Sequence, residues 1–156
     1  NENELRSKFI ILTVGRLTAE KGQIIIPKIV KKLLNRGLNN FIWYIVGDGL
    51  LMNKIKKSIS ENQVDEYIKM VGEISNPFPY YKNADLYVQT SLHEGYCLTI
   101  AEAKMFDKYI ISTDVVGAYE QIKRKEQGEI VKYDEEQLAN AILSFFRNKN
   151  KDRMLL

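Results

Sequence analysis

The sequence predicts a doubly wound α/β fold, a mostly parallel six-stranded Rossmann-like sheet with helices on both faces. Three observations carry that expectation. Six short segments read as strands and helical segments stand between them. The leading strands are continuous apolar runs, the pattern of strands covered on both faces. Its 156 residues fit one compact unit, so residues 1–156 are expected to form a single domain, without internal repeats or low-complexity tracts.

Phe9 to Val14, FIILTV, is a continuous apolar run but for Thr13 and is rich in β-branched residues, as a buried parallel strand requires. In IIIPKIVKKLL, residues 24–34, Ile26, Ile29, Val30, Leu33 and Leu34 share one helical stripe, while Lys28, Lys31 and Lys32 lie elsewhere. Pro27 then belongs to the first turn, where its missing amide matters little. Phe41 to Val46 is a second buried strand, Met52 to Glu61 a helix with its lysines outward, and Ile68 to Val71 a short third strand. The stretch ISNPFPYYKNA, residues 74–84, reads as turn-rich. Strand Leu86 to Gln89 follows, then a helix beginning near Leu98, strand Tyr109 to Ser112, a short helix near Tyr119 to Arg124 and the strand-like Glu129 to Val131. A last helix places Leu138, Ala141, Ile142, Phe145 and Phe146 on one face.

Composition excludes several classes of function. A net charge of +3, with the lysines scattered, argues against nucleic acid as the main partner, though an anionic ligand or membrane surface stays open. The lone Cys97 can form no internal disulfide, and no cysteine or histidine spacing suits zinc, which points to a reducing compartment. No long apolar run and no signal-peptide pattern is present. The expected location is the cytoplasm, with the inner face of the membrane open to the full-length protein. The opening NENELRSK runs at once into a strand, which reads as a piece cut from something longer.

In doubly wound sheets ligands bind in the loops beyond the carboxyl ends of the strands, and the informative residues lie there. After the first strand come Gly15 and Arg16, then Lys21 and Gly22. Two cations five residues apart on one loop can hold a phosphate, whereas taken alone they are more simply two solvated basic residues. After the second strand, Gly47-Asp48-Gly49 is an incomplete dinucleotide motif, since Met52 stands in place of the third glycine. Glu73 could imitate that motif's ribose-binding acid, and plain turn glycines explain the pattern equally well.

The segment HEGYCLTIAE, residues 93–102, is the most informative. A helix starting near Leu98 leaves the amides of Gly95, Tyr96, Cys97 and Leu98 as unpaired donors at its positive end, a seat for a phosphate. Glu94 lies just before that seat and Glu102 about one turn into the helix. At about 1.5 Å per residue they bracket an extended ligand rather than one metal ion. A nucleotide-diphosphate sugar fits, its diphosphate on the amides and Thr99, its ribose diol on Glu102 and its sugar hydroxyls on Glu94. Favourable helix electrostatics for Glu94 and a solvent-exposed Glu102 are the plainer alternatives. Cys97 reads as a small buried filler, His93 as a loop residue, and the many tyrosines as packing.

Taken together, VGRL-x3-KG, IVGDG, YY-x3-DL-x4-S-x2-EG and an EA eight residues after the first glutamate of that motif resemble the donor-binding, C-terminal half of the retaining glycosyltransferases of family 4, which have the GT-B fold. The likeness runs from Phe9 to about Phe146. It implies that Arg16 and Lys21 neutralise the donor diphosphate, that Glu94 stands at the transferred sugar, and that Glu102 holds the ribose. It also implies that Gly15, Gly47 and the amides of Gly95, Tyr96, Cys97, Leu98 and Thr99 contact the donor, with Val71, Gly72 and Ile74 at the base pocket. The implied donor is a UDP-sugar, with a GDP-sugar second. No cofactor or metal is implied, in line with the absence of an Asp-x-Asp pair. The implied partners are an N-terminal domain carrying the acceptor site and an acceptor glycan or lipid-linked glycan, in cell-envelope or capsular polysaccharide synthesis. The chain departs from the family pattern at Cys97, where glycine or proline is frequent, at Asp107, where glycine is common, and at Tyr109 and Tyr119, where prolines are. A non-catalytic nucleotide-binding or interaction module, and an NAD-binding Rossmann domain, are the alternatives.

Overall fold

Buried parallel strands need side chains that are apolar on both faces, and the six segments that meet this condition pair into one sheet. In the computed structural model, which describes residues 8–154, the strands are β1 (Phe9–Val14), β2 (Phe41–Val46), β3 (Ile68–Gly72), β4 (Leu86–Gln89), β5 (Tyr109–Thr113) and β6 (Gly128–Val131). All pairings are parallel, in the order β3-β2-β1-β4-β5-β6. The chain therefore winds outward from β1 to β3, returns, and winds outward again from β4 to β6. Between β1 and β4 lies the switch point at which such sheets open a crevice.

Alternate residues of each strand feed two cores. Ile11, Trp43, Ile45, Val88 and Ile111 face the layer made by α1 (Ile26–Asn35), α2 (Met52–Glu61) and α6 (Glu135–Met154). Leu12, Val46, Tyr87 and Ile110 face α3 (Phe78–Asn83), α4 (Leu98–Met105) and α5 (Val116–Gln121). Asp134 caps α6, accepting the Gln137 amide at 2.9 Å, and Glu135 and Glu136 add favourable charge to its first turn. The same two glutamates pair with Lys28 and Lys32 of α1 and with Arg36 at its C-cap, tying α1 to α6.

Two elements differ from the sequence reading. The stretch 74–84 contains the helix α3, because Pro77 stands at its N-cap and Pro79 in its first turn, where a missing amide is harmless. Asn76 Oδ1 accepts the Phe78 amide at 3.1 Å, and Tyr81 is driven into the core. The short helix expected near Tyr119 to Arg124 runs instead over Val116–Gln121 and stops where Ile122 becomes extended. The amides of Lys123 and Arg124 turn to the side chain of Gln127. No helix of the described residues is long and apolar enough to cross a membrane.

Candidate functional site

The three loops that follow β1, β2 and β3 are laced by backbone alone. The Gly15 amide donates to Val46 O at 2.9 Å, Leu17 to Asp48 O at 2.9 Å, and Gly47 to Gly72 O at 2.8 Å. Gly47 has φ +142°, and a Cβ there would lie 1.9 Å from the Gly15 carbonyl oxygen, so only glycine lets the first two loops meet. Beyond them opens a cleft of 590 Å³ whose walls include Gly15, Arg16, Gly47, Glu73, Ile74 and Pro77. Arg16 is exposed at its rim, and its carbonyl is held from behind by Gln23 Nε2 at 2.9 Å.

Across the switch point the loop after β1 is fastened to the loop after β4. Thr90 Oγ1 donates to Lys21 O at 2.9 Å and the Leu92 amide to Glu20 O at 2.7 Å. Gly22, at φ +68°, presses on Thr90, whose carbonyl oxygen would lie 2.2 Å from any Cβ. This seam carries Lys21 onto Glu94, and the two side chains form an ion pair. Glu94 Oε1 also accepts from Ser91 Oγ at 3.1 Å and from Gln89 Nε2 at 3.4 Å.

Gln89, which is buried, is the centre of this cluster. Its Nε2 also donates to Ser91 Oγ at 2.7 Å, while its Oε1 accepts Tyr87 OH at 2.7 Å and Thr99 Oγ1 at 3.0 Å. Tyr81 OH donates to Glu102 Oε2 at 2.8 Å and lies 3.3 Å from Thr99 O. Burial drives the hydroxyls of Tyr81 and Tyr87 far above the ordinary phenol range, so both stay protonated and able to donate. A continuous path of polar contacts thus joins Glu94 to Glu102 through Gln89, Thr99 and Tyr81, hydrogen-bonded from Glu94 to Thr99 and again from Tyr81 to Glu102, with the Thr99 carbonyl facing the Tyr81 hydroxyl between them.

Helix α4 begins inside this path. Cys97 is its N-cap and no side chain caps it, so the amides of Leu98, Thr99 and Ile100 have no acceptor within the helix. The first helical bond runs from Ala101 N to Cys97 O at 3.1 Å. Burial, followed by the nearby Glu94 charge, pushes the Cys97 thiol up to about 11, so it is a neutral filler at neutral pH.

The family model described as glycosyl transferases group 1 matches residues 1–155. The chain belongs to that family. It is 32% identical over 112 residues to a protein named as an uncharacterized glycosyltransferase of Methanocaldococcus jannaschii, covering 72% of this chain and 27% of that one. It is 27% identical over 133 residues to the N-acetylgalactosamine-N,N'-diacetylbacillosaminyl-diphospho-undecaprenol 4-alpha-N-acetylgalactosaminyltransferase of Campylobacter jejuni, covering 85% of this chain and 35% of the relative. The crystal structure of Anabaena Alr3699/HepE in complex with UDP-glucose superposes with a TM-score of 0.80 at 23% identity, over 96% of this chain and 42% of that chain. Across eight curated relatives that it matches, the chain spans between 21% and 35% of their length. Its sheet is the Rossmann-like half of a GT-B glycosyltransferase fold.

In this group 1 glycosyltransferase chain the site residues expected from the sequence fall into two groups on one edge of the sheet. Gly15, Arg16, Gly47 and Ile74 line the cleft, and Gly72 closes its back by accepting the Gly47 amide. Val71 does not line it and packs against the core under α3 to α5. Lys21, Glu94, Thr99 and Glu102 belong to the polar path. Gly95 and Tyr96, expected in the first turn of α4, precede it instead, and the open amides begin three residues later than expected, at Leu98. Glu102 is half-buried and hydrogen-bonded rather than solvated. Gln89 was not singled out by sequence reasoning, and Tyr81 and Ser91 entered it only as letters of the YY…DL…S-x2-EG pattern, without a role. Gln89 and Ser91 do lie at the carboxyl end of β4, where polar residues in a buried strand are a readable signal.

Proposed function

We propose that this chain is the donor-binding unit of a retaining glycosyltransferase of family 4, transferring a sugar from a nucleotide-diphosphate sugar to an acceptor hydroxyl in cell-envelope polysaccharide synthesis. One observation carries the reading: across the switch point, Lys21 of the first loop meets Glu94 just ahead of a helix start whose amides are uncapped. A cation, a carboxylate and outward amides together suit a sugar diphosphate, the amides and Lys21 for the phosphates and Glu94 for sugar hydroxyls. Glu102, oriented by Tyr81, suits the ribose diol, and the cleft beside Ile74 suits the base. The Anabaena neighbour holds UDP-glucose and the Campylobacter relative is named for a lipid diphosphate acceptor, which supports a UDP-sugar and a lipid-linked glycan here, with a GDP-sugar second.

In this reading the nucleoside diphosphate departs and leaves a sugar of oxocarbenium character. Arg16, Lys21 and the α4 amides meet the charge that develops on the leaving group, where fixed donors act most strongly. The charge is met by protein groups, and the reading requires no metal. Acceptor recognition falls to sequence that the longer relatives have beyond the matched stretch, so this chain alone binds donor with little or no turnover. The test is a thermal-shift panel of UDP-, GDP- and ADP-sugars with and without EDTA, since a ligand that binds the native state raises the unfolding temperature. Protection by a nucleotide sugar, insensitive to EDTA, is expected. Protection by NAD and by no nucleotide sugar would sink the reading.

A further inference from the structure

All three donors to Glu94 converge on one oxygen. Lys21 Nζ, Ser91 Oγ and Gln89 Nε2 reach Oε1. Oε2 accepts from none of the described residues, and it is not sealed off either. The one fully buried side-chain polar atom without a partner among the described residues is Gln23 Oε1. The Glu94 side chain is only 9% exposed and that of Lys21 28%, so this carboxylate has a single counter-ion and little water to replace it.

We propose that the Lys21–Glu94 ion pair makes the site discriminate an intact nucleotide sugar from the bare nucleoside diphosphate. The proposal rests on the donor-binding reading. A diphosphate seated on the α4 amides draws Lys21 away from Glu94, which is left nearly buried with two neutral donors on Oε1. An almost buried charge stripped of its counter-ion is unfavourable, and the bare diphosphate brings nothing to replace it. A sugar on the terminal phosphate brings hydroxyls within reach of the open Oε2, and these restore the lost interactions. The site then holds the donor more firmly than the product it leaves behind, which favours departure of the nucleoside diphosphate after transfer.

The experiment is titration calorimetry of wild type and Glu94→Gln against UDP, UDP-glucose and inorganic pyrophosphate. The amide side chain of this variant keeps the hydrogen bonds of Ser91 and Gln89 and carries no charge to pair Lys21. The variant is expected to bind UDP and pyrophosphate about tenfold more tightly and UDP-glucose no better, so the preference for the sugar collapses. Glu94→Asp, which draws the carboxylate back by one methylene, moves UDP affinity in the same direction by less and serves if the first variant does not fold. Unchanged or weaker UDP binding in the folded variants, with wild-type binding intact, overturns the proposal. If the wild type binds none of the three probes, the donor-binding reading fails first and this inference falls with it.

Discussion

The cleft beyond β1 to β3 and the polar cluster beyond β4 share one edge of the sheet and are held by different means. The cleft is backbone against backbone, amide to carbonyl between Gly15, Val46, Gly47 and Gly72, with side chains needed mainly to be absent. The cluster is side chain against side chain, with Gln89 joining Tyr87, Ser91, Glu94 and Thr99. The difference teaches where sequence change acts. In the first region a substitution acts on whether the loops can meet, and in the second it acts on charge and orientation while the loops stay put. Stability and ligand binding should therefore separate by region.

The sharpest way to break that separation is Gly47→Ala. Its Cβ would lie 1.9 Å from the Gly15 carbonyl oxygen, backbone that cannot swing aside, at a φ of +142° that disfavours any side chain. Opening the two loops and losing their amide bonds should lower stability by about 3 kcal/mol or more, read as a fall in denaturation midpoint. A loss below about 1 kcal/mol would show the loops to be compliant and the contrast overstated.

Lys21→Met tests the other region. It removes the charge that neutralises a diphosphate, so nucleotide-sugar affinity should fall about 10- to 100-fold by calorimetry. It also strands Glu94, whose nearly buried carboxylate keeps the neutral donors Ser91 and Gln89 on Oε1, so the stability loss should be about 1 to 2 kcal/mol. A large stability loss with unchanged binding would invert the comparison.

Tyr81→Phe has a smaller and pH-dependent effect. Loss of its bond to Glu102 should lower stability by about 1 kcal/mol at neutral pH and weaken nucleoside binding through a looser Glu102. Because burial raises the phenol pKa in the folded state, the wild-type contribution is fully present below the ordinary value near 10 and is lost as pH rises above it. Between there and the higher folded value, each buried tyrosine lowers stability by about 1.4 kcal/mol per pH unit. The Tyr81→Phe variant should show a slope shallower by that amount in denaturation measured from about pH 10 upward. An unchanged slope would mean that Tyr81 ionises freely.

The two regions were also unequally legible in the sequence. The strands could be read because a strand covered on both faces must be apolar along its length, and the loop glycines because they interrupt such runs. The α3 helix was hidden by Pro77 and Pro79, which signal turns unless they fall in a first helical turn, and nothing local says which. The polar path was half visible. Glu94 and Glu102 stand out by spacing, but Tyr81 reaches Glu102 from another helix and Gln89 reaches Glu94 from the strand, and such contacts arise only once the sheet has formed. The start of α4 near Leu98 was legible, but the open amides were placed three residues early, at Gly95 instead of Leu98, because the free donors of a helix belong to its first turn and not to the loop before it.

The smallest effect gives the cleanest control, since it lies on α4 at the end away from the open amides. Three helices finish with the same pair of bonds, the second residue past the C-cap donating back five positions and the first donating back three. In α1 the residue that must turn left-handed is Gly37 at φ +85°, but α2 uses Gln63 at +57° and α4 uses Asp107 at +53°. A side chain in that conformation is strained, less so for aspartate than for glutamine, and glycine relieves it. Asp107 is exposed and neither donates to nor accepts from any residue of the polar path, so Asp107→Gly should raise stability by about 0.5 to 1 kcal/mol and leave nucleotide-sugar affinity unchanged. Denaturation and calorimetry on the same variant decide it. A gain in stability with altered binding would mean that strain at the end of α4 is transmitted to its beginning, and that the polar cluster is less independent of backbone than its side-chain construction implies.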